Sequence, residues 1–204
     1  MPLATQLAKL YNVIAIDLPG YGKTHRPRSP LSLSELADIV KKYLIQHELT
    51  RVTLIGHSMG CQIVAHIHSM NTLPIEKIIL MCPTVNNKER NLPMQTLRLL
   101  QDSLIESPRT NIIMFTNYLH MGIGRYLKTS QWMVADRIET RLESIDIPTL
   151  LVRGERDYIV PRQWIQFLTK LSPHIHAVEI PDAPHGMQFE FAGEVAKECQ
   201  LFID

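Results

Sequence analysis

The 204-residue chain lacks most of the features that would take it out of the ordinary soluble class. It has no unbroken apolar run of about 18 residues, the least that a membrane-spanning helix needs. It shows no signal-peptide pattern at its N-terminus. It has only three cysteines, Cys61, Cys82 and Cys199, odd in number and scattered. That excludes a disulfide framework and reads as reduced core thiols of a cytoplasmic protein. Nor does either sign of charge dominate: 21 basic against 20 acidic residues give +1 at pH 7. Such a balance offers no attraction for nucleic acid or an anionic membrane. There is no internal repeat and no low-complexity segment. What is present, 45% hydrophobic and 20% charged residues, suits one soluble globular domain. A domain of this length buries about 70% of its unfolded surface.

The most informative segment is Gly56-His57-Ser58-Met59-Gly60. It follows the apolar run Val52–Ile55 and precedes a helix-like run, Cys61–Ser69. G-x-S-x-G between a strand and a helix is a nucleophile elbow. The chain must turn sharply enough to lift the serine hydroxyl above the sheet in a strained conformation. Both glycines are expected to remove side chains that would collide with the strand and helix. The Met59 N–H then sits at a helix N-terminus, where it can face a developing oxyanion. The pentapeptide alone arises by chance in roughly one chain of this length in fifteen, so the residues downstream decide.

Strand and helix patterns alternate along the chain. A helix is expected over Pro2–Tyr11, from Leu3, Leu7 and Leu10, and a strand over Asn12–Ile16. Ser32 or Ser34 caps a helix striped by Leu36, Ile39, Val40, Tyr43 and Leu44, with Glu35 in its first turn. Further strands are expected at Lys77–Cys82, Thr149–Gly154 and His176–Ile180, with a helix at Pro161–Leu171. This alternation predicts a mostly parallel sheet with helices on both faces. Asp157 follows the strand at Thr149–Gly154, and His185 lies in the loop after the strand at His176–Ile180. Both therefore belong to the edge where such sheets build their sites. The order Ser58, Asp157, His185 is that of the α/β-hydrolase fold.

Four stretches carry a wider resemblance: Val13–Gly22, the GHSMG elbow, Arg153-Gly154-Glu155-Arg156-Asp157, and Pro184-His185-Gly186. On these the chain resembles the α/β-hydrolase superfamily, in particular its capped esterase-like members, including pimeloyl-carrier-protein methyl esterases. The resemblance implies that Ser58 is the nucleophile, His185 the general base and then acid, and Asp157 the residue that orients and charge-stabilises His185. It implies a core of residues 1–84 and 146–204. Residues 85–145, long, helical in texture and without a strand pattern, match the cap. Such a cap would close an apolar substrate cavity, although most of its apolar residues are expected simply to pack it onto the core. The family also begins with strands and a His-Gly oxyanion loop that have no counterpart before the first helix here. The expectation is therefore a fragment or misassigned start, with Met1 an internal methionine, a second oxyanion donor missing, and a gap in the sheet between Asn12–Ile16 and Val52–Ile55. Direct pairing of those two segments is the alternative.

Other candidates carry less. Asp182 is the runner-up acid but is too near His185 in the chain. Asp157 could instead be a helix cap or a partner for Arg156 or Arg162. His57 lines or packs the pocket. His66 and His68, two apart on one helix, face different ways, and His174 and His176 have no acidic or thiol partners, so no metal site is expected. Gly22-Lys23-Thr24 ends like a P-loop, but that motif needs glycine where Asp17 stands. No cofactor is implied. The reading is a cofactor-free serine hydrolase acting on a small, apolar acyl compound. The alternatives are carbon–carbon bond hydrolase, perhydrolase or hydroxynitrile lyase chemistry on the same fold, or a binding protein that has lost catalysis. Haloalkane dehalogenase chemistry is disfavoured because position 58 is not a carboxylate.

Overall fold

Four short apolar runs form the frame. In a computed structural model that describes residues 2–204, strands β1 (Val52–His57), β2 (Ile75–Met81), β3 (Thr149–Gly154) and β4 (Ile175–Ile180) pair in chain order as one parallel sheet. The register sets Gly56 opposite Leu80, Leu80 opposite Leu151, and Gly154 opposite Ile180. Ile78, Ile79, Leu80, Leu151 and Val152 are all buried. Their sequences are continuously apolar because helices cover both faces of the sheet.

The helices are α1 (Pro2–Leu7), α2 (Leu33–Gln46), α3 (Met59–Ser69), α4 (Leu92–Ser103), α5 (Pro108–Met121), α6 (Ile123–Ala135), α7 (Ile138–Leu142), α8 (Arg162–Leu168), α9 (Met187–Glu190) and α10 (Ala192–Ile203). Ser32 is the cap of α2. Its hydroxyl accepts the Glu35 N–H while Glu35 accepts the Ser32 N–H, a capping box worth about 1 kcal/mol. Leu36, Val40 and Leu44 turn inward from α2 and meet Ile63 and Ile67 of α3. Helices α1, α9 and α10 pack together, with Leu3, Leu7, Val195 and Cys199 in the sheet's own cluster. The three cysteines are buried and unpaired.

Two expectations at the start of the chain are corrected. Helix α1 stops at Leu7, because Lys9 and Leu10 donate to carbonyls three residues back and tighten the chain into a turn. Residues 12–16 form no strand. They make no backbone hydrogen bond among the described residues, and Val13, Ile14 and Ile16 are partly exposed. A strand pattern becomes a strand only where a neighbour completes its ladder, and β1 pairs only with β2 and not with this segment. Met1 lies outside the described residues.

Residues 85–145 hold a short 3₁₀ turn (Asn87–Glu89) and α4 to α7, with no strand. The last of these is anchored: Ile138 and Leu142 of α7 belong to the main core cluster. The rest is unevenly covered. Leu104, Leu119 and Ile123 are 85%, 80% and 79% exposed, so these apolar side chains do not pack the segment onto the core.

The centre of the sheet sets the stability of the frame. Replacing Leu80, which is fully buried, by alanine is expected to cost about 2–5 kcal/mol. Urea denaturation measures this, and a loss under about 1 kcal/mol would contradict the packing described.

Candidate active site at the carboxyl edge of the sheet

The turn after β1 is the most strained point of the site. Ser58 adopts φ 53° and ψ −118°, a region costing about 1–3 kcal/mol for a residue with a side chain. It is held on both sides: the Ser58 N–H donates to Met81 O at 2.9 Å, and its carbonyl accepts from the Cys61 N–H at 3.0 Å. The sequence assigns both flanking glycines a steric role, and only one has it. A Cβ at Gly56 would lie 2.5 Å from Gly60 O and 2.7 Å from Cys61 N, whereas a Cβ at Gly60 would meet nothing within 4 Å. Gly56 is required by the path of the backbone; Gly60 is not. Met59 is the first residue of α3, so its N–H has no acceptor within the helix. Ser58 is half-buried, and among the described residues its hydroxyl makes no hydrogen bond.

Asp157 and His185 meet at the same edge of the sheet. Asp157 follows β3, and its side chain is wholly enclosed. Its Oδ1 accepts the N–H groups of Ile159 (2.8 Å) and Val160 (2.9 Å), and its Oδ2 accepts from His185 Nδ1 at 2.9 Å. The carboxylate is thus fully used and needs neither Arg156 nor Arg162; Arg162 pairs with Glu179 instead. Burial opposes its ionisation, but the charge of His185, that hydrogen bond and the Val160 N–H outweigh it and hold the carboxyl below its usual value. For His185, burial works toward neutrality. The charge and hydrogen bond of Asp157, with the charges of Asp102 and Glu106, win and raise it above 6.5. Because a carboxylate only accepts, the Nδ1 of His185 carries the proton and Nε2 keeps its lone pair. Asp182 is exposed, and its N–H donates to Glu155.

His57 ties the turn to His185. Its ring lies 4.9 Å from that of His185, and its Nε2–H donates to the His185 carbonyl at 2.9 Å. Burial first, then the charge of His185, lowers His57 to about 4, so it is a neutral donor near neutral pH. Cys82, just past β2, lies against the same carbonyl (Sγ to O, 3.6 Å), and burial pushes its thiol well up. His57, Cys82 and His185 bring possible ligand atoms within 4.8 Å of one another. Burial holds the Cys82 thiol protonated, whereas metal ligation needs the thiolate. His66 and His68 go to separate acids, Asp136 and Asp146.

Two acids that sequence reasoning missed stand behind His185. Asp102, at the end of α4, accepts the His185 N–H at 3.2 Å, and Glu106 accepts the Gly186 N–H. Their spacing along the chain is ordinary, and nothing local marks them. A hollow of about 750 Å³ lies elsewhere, lined by Arg26, Arg28, Arg125, Lys128 and Trp132 among others and by none of Ser58, Asp157 and His185.

The contrast between the two glycines is testable. Gly56→Ala is expected to abolish the folded elbow, while Gly60→Ala should leave the fold intact. Thermal unfolding of both variants checks this, and equal effects would contradict the geometry.

Comparison with known proteins agrees with this architecture. Residues 1–198 match the model of the alpha/beta hydrolase family. The chain is 24% identical, over 97% of its length, to the dihydrolipoyllysine-residue acetyltransferase component of the acetoin cleaving system of Pseudomonas putida, and it spans only 57% of that protein. It resembles the enol-lactonase of Burkholderia xenovorans with a TM-score of 0.81, at 20% identity, over 99% of this chain and 84% of that one. It resembles a thermophilic esterase of Thermogutta terrifontis with a TM-score of 0.76, at 18% identity, over 99% of this chain and 83% of that one. At such identities the solved structures speak to fold alone. With four parallel strands that lead into the elbow, the acid loop and the histidine loop, and a family match over nearly its whole length, the chain belongs to the alpha/beta hydrolase family.

Proposed function

We propose that the protein is a serine hydrolase that cleaves a carboxylic ester or a similar acyl compound, with Ser58 as nucleophile, His185 as general base and Asp157 as its orienting anion. One observation carries the reading: the buried 2.9 Å bond from His185 Nδ1 to Asp157 Oδ2, with His57, the residue before Ser58, bonded to the His185 carbonyl. A proton on Nδ1 leaves Nε2 free to take the hydroxyl proton of Ser58. The resulting alkoxide attacks the acyl carbon, and the tetrahedral oxyanion falls to the Met59 N–H. His185 returns its proton to the leaving group and then activates water to clear the acyl-enzyme. The free Ser58 hydroxyl fits a resting enzyme whose catalytic hydrogen bonds tighten on substrate binding. The helical segment 85–145 acts as the cap. A panel of esters, lactones and carbon–carbon substrates separates this reading from other chemistry on the fold.

Two outcomes are expected. Ser58→Ala should lower kcat on the best ester of the panel by about 10⁴-fold or more; turnover close to that of the parent would sink the assignment. Because the base must be neutral, kcat/KM should rise with pH through a midpoint above the ordinary histidine value of 6.5, in the direction of the His185 shift. Asp157, held low, stays ionised across that range. A flat profile, or a midpoint below 6.5, would contradict the role of His185.

A further inference from the structure

Asp102 and Glu106 are 1% and 7% exposed and have no part in the triad chemistry. They sit one helical turn apart where α4 runs out, with the Glu106 N–H bonded to Asp102 O at 3.0 Å. Both reach across to two consecutive backbone N–H groups in the loop after β4. Asp102 Oδ1 takes the His185 N–H and Glu106 Oε1 the Gly186 N–H. The approach depends on glycine, because a Cβ at position 186 would lie 2.6 Å from Glu106 Oε1 and 3.0 Å from Thr110 Cγ2. The second oxygen of Asp102 is buried and meets no donor, and the Asp102 and Glu106 carboxyls lie within hydrogen-bond reach of each other. Two ionised carboxylates cannot sit together in a buried site without strong repulsion. A single proton between them removes both the repulsion and the unmet acceptor.

We propose that Asp102 and Glu106 are a proton-sharing pair that clamps the backbone N–H groups of His185 and Gly186 to the helical segment 85–145 and so positions the general base. The proposal rests on the triad reading above. The shared proton resides on Glu106 Oε2 and is donated to Asp102 Oδ2, which leaves Oδ1 and Oε1 to accept the two consecutive N–H groups. Burial raises Glu106 to about 7, and the charge of Asp102 adds to it against the Gly186 N–H; Asp102 is raised as well, chiefly by burial. The ionisable groups that face the pair are His185, Asp157, and Tyr118 of α5, itself raised to about 12 by burial and by its neighbours, Asp102 among them. Loss of the shared proton leaves two adjacent anions at the clamp. They weaken its hold, and both charges favour the protonated, inactive form of His185.

Glu106→Gln is the discriminating variant. Its amide nitrogen replaces the protonated oxygen toward Asp102, and its carbonyl still accepts the Gly186 N–H. Glu106→Ala removes both. The alanine variant should lose about 10- to 100-fold in kcat with KM little changed, as for a displaced catalytic group. The glutamine variant should stay within about threefold of the parent near pH 6. A second readout needs no turnover. With Glu106 raised from 4.5 to about 7 in the fold, its stabilising contribution is complete below 4.5 and lost as pH rises to about 7. The thermal midpoint of the parent should therefore fall relative to Glu106→Gln between about pH 5 and pH 6.5. His185 adds its own loss above 6.5, and by an amount that depends on the Glu106 charge, so the two proteins are compared below that pH. Parallel pH dependences would overturn the pair. If Glu106→Gln does not fold, titration of ¹³C-labelled glutamate carboxyls in the parent decides. One carboxyl titrating near neutral pH upholds the pair, and all titrating below about pH 5.5 overturns it. A parent without esterase turnover would refute the ester reading while leaving the stability and titration results interpretable.

Discussion

The parallel register of four strands brings the chemistry together. Gly56 stands opposite Leu80, Leu80 opposite Leu151, and Gly154 opposite Ile180, so the chain leaves every strand at the same edge. Ser58 follows β1, Cys82 β2, Asp157 β3 and His185 β4. Residues more than a hundred positions apart become neighbours only because the ladders align. The Ser58 N–H extends that logic by bonding to Met81 O, and the turn is strained over a rigid support. A strained serine on a loose loop would relax; here the sheet forbids it.

Around His185 the site is a set of compensated burials. Asp157 is enclosed yet ionised because two N–H groups and an imidazole meet its oxygens. His57 is kept neutral and holds the His185 carbonyl, while Asp102 and Glu106 hold the amides of His185 and Gly186. The histidine is gripped from three directions, so its Nε2 is the one polar atom of the ring left for chemistry. The anions that surround it outweigh the burial that would discharge it. In the proposed mechanism the base is poised at the cost of a higher pKa, and the proposed pair on the helical segment adjusts that balance.

Much of this was legible in the sequence, for reasons tied to particular residues. Val52–Ile55 and Leu150–Val152 are largely apolar runs, and a run of that kind announces itself. The Ser32–Glu35 box marks the start of α2 through purely local chemistry. Residues 12–16 carry the same kind of apolar run and form no strand, since pairing depends on a neighbour and not on the segment itself. The motif overstated Gly60, because a pattern does not show which glycine the backbone crosses. Asp102 and Glu106 were invisible: their partners lie 83 and 80 residues away, and no spacing rule connects them. The apolar residues of α4 to α6 were read as packing, but several face outward.

The central claim is that Ser58, His185 and Asp157 work as one unit. Labelling with a fluorophosphonate probe, followed by peptide mapping, tests it most directly because it needs no knowledge of the substrate. A single adduct on Ser58 that disappears in His185→Ala is the predicted result. A folded protein that takes no label at Ser58, or takes it equally without His185, would contradict the account.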